Sequence, residues 1–262
     1  MLISVRVIAV YDLPQQSSLL LMVEPPLVGP VHRVKEERLV TTPTPFNELG
    51  KDVYGNPLRR IIASEGLFAF EFRAKVDTAP NTDLDDDAVE HPLQEIPTES
   101  MVYTLPSRYC QSDLLARMAR REFGQLPSGG RRVRTITDWV RQHVEYQYGT
   151  TNAKTSAFDT VTERIGVCRD FAHLVIAFCR GLGIPARYAS CYALGLEPPD
   201  FHSVAQVYLS GVWHNVDATT EAVRPALIPI AVGRDAADVA MMTLWEMGKL
   251  REQAVEVREI AG

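Results

Sequence analysis

A chain of 262 residues, 46% hydrophobic and 23% charged, is long enough to bury a substantial core and has the ordinary make-up of a globular protein. Its formal net charge of −6 argues against the clustered basic surface that nucleic acid or an anionic membrane requires. Its four cysteines, Cys110, Cys168, Cys179 and Cys191, show neither C-x-x-C pairs nor zinc-type spacing, which excludes a disulfide scaffold and leads us to expect no metal and no cofactor.

The opening residues, Met1 to Ile8, lack a basic stretch followed by a long apolar core, so they read as a strand rather than a signal peptide. With no apolar run of membrane-spanning length, the expected compartment is the cytoplasm. Residues 1 to about 80 read as all-β. Ile3, Val5, Val7 and Ala9 share one parity, as do Phe68, Phe70, Phe72, Ala74 and Val76, the pattern of half-buried strands. Between them Leu19–Val23, Val31–Val40 and Arg59–Ser64 are strand-like runs bounded by Pro or Gly, and Tyr54-Gly55-Asn56-Pro57 is a turn signal. Short strands with frequent turns predict an antiparallel β-sandwich. Residues 80–107 are rich in Pro and Asp and read as a connection. The run Asp83–Asp87 lacks the glycine and distal glutamate of a calcium loop and is read as solvated linker.

Helical patterns begin at Ser112, a predicted N-cap ahead of Leu114, Leu115, Met118 and Phe123. A second helix is predicted from about Arg131 to Tyr146, with Val133, Ile136, Trp139, Val140 and Val144 on its buried face and His143 on or beside that stripe. Ala157–Arg164 reads as a short helix ended by Gly166. The next helix starts near Cys168 and stops at Gly181 or Gly183, before Pro185. Its middle, Leu174 to Cys179, is apolar all round and therefore surrounded by protein. Residues 186–194, 202–209 and 212–218 read as strands, and the alternating run Gln253–Ile260 as a final one. The division expected is a β-domain with its linker over 1–100 and an α+β domain over 101–262.

A cysteine is a useful nucleophile only as thiolate, and a helix N-terminus stabilises that anion through its dipole and unpaired N–H groups. Cys168 has that placement. Cys179 lies within the apolar helix and is expected to be inert, while Cys110 and Cys191 have neither a helix start nor an evident base. A small buried hydrophobe is the competing reading for Cys168. A thiolate also needs an imidazole, and that imidazole an orienting group. Phe201–Leu209 and Val212–Asp217 flank Ser210-Gly211, a turn dipeptide. A two-residue hairpin loop would pair Leu209 with Val212 and Tyr208 with Trp213. It would then set His202 and Asp217 on one face as diagonal neighbours, with Cα separations of about 7–8 Å. A loop one residue longer or shorter would put them on opposite faces. The same register turns His214 away from Asp217, and His173 is expected to be a satisfied core histidine.

The segments Gly166–Leu174, Gly181–Tyr188, Phe201-His202 and Val216–Thr219 resemble the core of the bacterial transglutaminase-like superfamily, with Cys, His and Asp in the same order. Two outlying stretches are similar as well, Asp52–Asn56 in the β-domain and Val232–Val239 near the end. Where the family often has a tryptophan two residues after the histidine and then an acidic residue, this chain has Val204 and Gln206. The resemblance implies an α+β fold: an N-terminal antiparallel β-sandwich followed by a papain-like core whose nucleophile helix packs on an antiparallel sheet. It implies Cys168 as nucleophile, His202 as general base and acid, and Asp217 as orienter. The Cys168 backbone N–H and an upstream side chain would bind the oxyanion, with Tyr146, Gln147 and Tyr148 as candidates by position. The implied activity is thiol-dependent acyl transfer on peptide or isopeptide amides, chiefly hydrolysis. The alternatives are transfer to a primary amine, as in a transglutaminase, or a non-catalytic peptide-binding module. The partners expected are a peptide or protein substrate, with no nucleic acid and no membrane; a homo-oligomer is left open.

Overall fold

The computed structural model describes residues 1–261. The chain begins with six strands: β1 (Leu2–Leu13), β2 (Ser17–Leu21), β3 (His32–Thr42), β4 (Phe46–Lys51), β5 (Pro57–Ala63) and β6 (Gly66–Thr78). The alternation read from the sequence is the observed burial. Ile3, Val5, Val7 and Ala9 of β1 and Phe68, Phe70, Phe72, Ala74 and Val76 of β6 all point into one core. β4 was not legible in the sequence. It is an edge strand with every residue exposed, so no apolar alternation marks it.

After a connection containing the single turn α1 (Thr98–Met101) come the helices α2 (Ser112–Phe123) and α3 (Gly130–His143). Gln111 occupies the N-cap of α2, and Ser112 is the first helical residue, buried, rather than the cap. The helix expected to reach Tyr146 stops at His143, because the next residues are taken into a strand. Glu145–Tyr146 (β7) pairs in parallel with Ile165–Gly166 (β8), on either side of α4 (Ala157–Glu163). Then follow α5 (Cys168–Gly181), β9 (Ala186–Ala193), β10 (His202–Leu209), β11 (Val212–Val216), β12 (Leu227–Gly233), β13 (Met242–Leu244) and β14 (Lys249–Ile260).

Helix α5 is buried at every position from Asp170 to Gly181. Helices α2, α3 and α4 and strands β9 and β10 all pack against it. This matches an apolar run with no polar face. The sheet behind it has the order β11-β10-β9-β12. Arg180, in the last turn of α5, is buried and holds the connections around the helix together. Its guanidinium donates to the carbonyls of Ala186, Leu105 and Arg234 and to the Ser107 hydroxyl.

The division at residue 100 is crossed by the tail. β14 pairs with β1 along its length, from Leu2↔Ile260 to Asp12↔Lys249, and β13 pairs with β2. The two N-terminal sheets therefore read β14-β1-β6-β3 and β13-β2-β5-β4, and the last strands of the expected 101–262 segment belong to them. The two halves also share a core. Tyr192, Ile228 and Ile230 of the central sheet lie in the same apolar cluster as Phe70 and Phe72, and the Tyr192 hydroxyl donates to the Val23 carbonyl at 2.6 Å. A second tie is the turn after β4. Asn56 donates to the Val232 carbonyl and accepts from the Val232 N–H, imitating a strand partner, while the Tyr54 hydroxyl donates to Asp238. None of the helices among the described residues is long and apolar enough to cross a membrane.

Candidate active site

The Ser210-Gly211 turn forms as the sequence requires. Both residues have positive φ, 51° and 81°, the type I′ geometry that matches strand twist. Ser210 is held there by an N–H donated to the Val89 carbonyl and by its hydroxyl accepting from the Val89 N–H. The resulting register is Leu209↔Val212 and Tyr208↔Trp213. His202, at the first position of β10, and Asp217, just past β11, then meet: His202 Nε2 donates to Asp217 Oδ2 at 2.7 Å.

Asp217 is held from three directions. Its Oδ1 accepts from the Thr219 N–H at 3.0 Å and the Thr219 hydroxyl at 2.7 Å, and its Oδ2 also accepts from Arg224 Nε at 2.8 Å. Burial alone would raise its carboxyl pKa. The bond and charge of His202, with the Thr219 bonds, overcome that and hold it well below the usual carboxylate range. Burial likewise opposes charge on His202, but the Asp217 bond, then Cys168, raise the imidazole to about 9. Its second nitrogen, Nδ1, is buried and makes no hydrogen bond of full geometry, although the Cys168 thiol is near enough to favour the charged ring. Loose contacts of this kind are common before substrate binds.

Cys168 opens α5 and is half-buried, unlike Cys110, Cys179 and Cys191, which are fully buried. The loop that presents it is fixed by two neighbours. Gly166 lies against Asp170, so that a Cβ there would come within 2.7 Å of the Asp170 Cβ. Asp170, in the first turn of α5, accepts from the Val167 N–H at 2.8 Å and from the Thr151 hydroxyl. Of the upstream candidates, Tyr146 pairs with Gly166 through the β7–β8 ladder and its phenol lies beside Cys168 and Tyr148. Burial first, then the charge of Cys168, raises its pKa. Gln147 is engaged through its backbone, donating to the Gly166 carbonyl, and Tyr148 is exposed, edge-on to Tyr146.

The other histidines stand apart. His173 is buried between the rings of Tyr109 and Tyr188, accepts from the Ala236 N–H at 3.1 Å, and is held neutral by burial. His214 bonds the Leu209 carbonyl, and His143 stacks on Trp139 at the surface. Arg224 was missed from sequence because it comes from an irregular loop where periodicity says nothing. Asp170 sits three residues beyond Val167, a capping position that could have been noticed. Among the described residues no group of three or more His, Cys, Asp or Glu side chains could hold a metal ion.

The family model of the transglutaminase-like superfamily matches residues 116–218, a span that includes Cys168, His202 and Asp217. An uncharacterized protein of Mycobacterium leprae is 36% identical over 114 residues, and one of Mycobacterium tuberculosis 31% identical over 123. Each match spans 39% of the length of that relative. A crystal structure of a candidate cysteine protease from Cytophaga hutchinsonii is 37% identical, superposes with a TM-score of 0.93, and covers 100% of this chain and 91% of its own. With a relative this similar along its whole length, the β-sandwich included, the chain belongs to the transglutaminase-like superfamily.

Proposed function

We propose that the protein is a thiol-dependent acyl-transfer enzyme that hydrolyses peptide or isopeptide amides through Cys168, His202 and Asp217. The observation that carries this reading is the meeting of a half-buried cysteine at the head of a buried helix with an imidazole whose far nitrogen is bound to a carboxylate. With Nε2–H directed to Asp217, Nδ1 is the atom left to exchange a proton with the thiol. The Cys168 thiolate attacks the carbonyl carbon. His202 then protonates the leaving amine from Nδ1, and an acyl-enzyme remains. Water enters, gives its proton to the same nitrogen, and releases the acid. Water is taken as the acceptor because it needs no second binding site. The Cys168 N–H and the Tyr146 phenol serve as oxyanion donors.

Alkylation tests the nucleophile. Iodoacetamide should label Cys168 on the order of 10²-fold faster than the other three cysteines. Burial blocks access to those thiols and raises their pKa values, that of Cys110 to about 12. In His202→Ala the labelling of Cys168 should slow. Equal, sluggish labelling at all four positions, read by peptide mass spectrometry, would favour the non-catalytic binding module.

The pH dependence follows from His202. Its charged form is favoured up to about 9, so the thiolate–imidazolium pair is lost as pH rises through that value. The profile of kcat/KM should therefore fall on its alkaline side with a midpoint near 9. A midpoint below 7 would mean that the imidazole is not held by Asp217 and the thiolate.

Tyr146→Phe keeps the ring packing and removes one donor. It should lower kcat by roughly 10²-fold with KM little changed, the sign of a bond made chiefly in the transition state. Steady-state kinetics on any cleaved peptide would show this, and an unchanged kcat would leave the backbone N–H as the donor.

A further inference from the structure

The cleft beside His202 lies between the central sheet and the β-sandwich, and its walls are mostly apolar: Met22, Tyr109, Tyr188, Phe201, Ile230 and Met241. Apart from His202, whose charge is paired with Asp217, its cation is Arg169, the residue that follows the nucleophile. The Arg169 guanidinium stacks over the Tyr109 ring, 4.5 Å from its centre, and donates to the carbonyls of Asn152 and Thr155 at 3.2 and 3.1 Å. These neutral contacts fix its plane without cancelling its charge. Its Nε is buried and has no acceptor, and the residue forms no ion pair among the described residues. Neighbouring Asp170 is turned to Val167 and Thr151. A second carboxylate in the cleft, Asp200, is already bound by the Phe201 N–H and the Gln253 side chain.

The buried Nε is out of a ligand's reach, but each terminal nitrogen carries two N–H groups and donates only one. A planar guanidinium with these spare donors, set in an apolar cleft, matches a carboxylate by both charge and fork geometry. Asp200 repels such a group from its own side, which leaves the Arg169 side to receive it. We propose that this cleft is an acid-selecting subsite in which Arg169 binds a carboxylate of the substrate, so that acidic peptides are preferred. The proposal rests on the acyl-transfer reading for its consequence in turnover, but not for the binding itself. The carboxylate can be an acidic side chain near the scissile bond or a free C-terminus, since both offer the same two oxygens.

The test uses internally quenched peptides in matched pairs, Glu against Gln beside the scissile bond and free acid against amide at the C-terminus. The enzymes compared are wild type, Arg169→Gln and Arg169→Lys. Wild type should favour the acid of one pair by about tenfold or more in kcat/KM, chiefly through KM, and that pair identifies the source. Arg169→Gln should bring the ratio to about 1 by loss on the acid member, and Arg169→Lys should keep part of it. A wild-type ratio near 1, or one unchanged in Arg169→Gln, overturns the subsite.

A second arm needs no turnover: protection of Cys168 from iodoacetamide by N-acetylglutamate against N-acetylglutaminamide, which carries no carboxylate. Protection by the acid alone, lost in Arg169→Gln and partly kept in Arg169→Lys, supports the subsite even if no peptide is cleaved, in which case the hydrolytic reading alone fails. Equal protection by both compounds, or none from either, overturns the subsite whether or not peptides are cleaved.

Discussion

Cys168→Ala is expected to abolish turnover, lowering kcat by on the order of 10⁴–10⁶-fold on any peptide or isopeptide that the wild type cleaves. Without the sulfur no acyl-enzyme can form, and His202 cannot substitute because it has no covalent step of its own. The loss should come with an intact fold. Cys168 is half-buried at the first position of α5, where alanine suits a helix and leaves no sealed cavity. Stability to urea should change by no more than about 0.5–1 kcal/mol. Activity within tenfold of wild type, with the fold unchanged, would remove Cys168 from the chemistry and leave the histidine and aspartate without a nucleophile to serve.

Asp217→Asn should produce the next largest effect, a fall in kcat/KM on the order of 10³–10⁴-fold. Each oxygen of Asp217 faces donors: the Thr219 N–H and hydroxyl on one, His202 Nε2–H and Arg224 Nε–H on the other. An amide therefore turns its NH₂ against a donor whichever way it is oriented. If the NH₂ faces His202, the ring must carry its proton on Nδ1, where it can no longer accept one from the thiol. If the NH₂ faces Thr219, the negative charge is still lost. Burial then dominates the His202 equilibrium, and the imidazole can no longer be held near 9. The alkaline limb of the pH profile should accordingly move well below 9 in this variant. Kinetics across pH, with far-ultraviolet circular dichroism to establish folding, check both parts. A small loss with an unmoved limb would reduce Asp217 to a structural partner of Arg224.

Much of the fold was legible because burial imposes periods on sequence. The parity of Ile3 to Ala9 and of Phe68 to Val76 marks strands with one face in a core. The continuous apolar run of α5 marks a helix enclosed by protein. The hairpin was legible for a stricter reason. A two-residue turn fixes register, and register fixes which residues share a face, so the Ser210-Gly211 dipeptide alone places His202 and Asp217 on one side. What failed lay where periodicity carries no information. β4 is wholly exposed. Tyr146 left its predicted helix for a two-residue ladder with the loop before Cys168, and the tail crossed the expected division to close the sheet of β1.

The sequence by itself determined the strands of the sandwich, the buried helix α5 and the cysteine at its head, and the hairpin that joins a histidine to an aspartate. All of these follow from interactions between residues close in the chain, or from the burial of one face of an element. Only the tertiary structure decided which groups surround that site. Arg224 reaches Asp217 from an irregular loop, and Thr151 reaches Asp170 from the loop before α4. Met22 and Gln253, from opposite ends of the chain, wall the cleft that Arg169 enters. Contacts of this kind join segments far apart in sequence. No local period records them, because they exist only once the separate elements have packed.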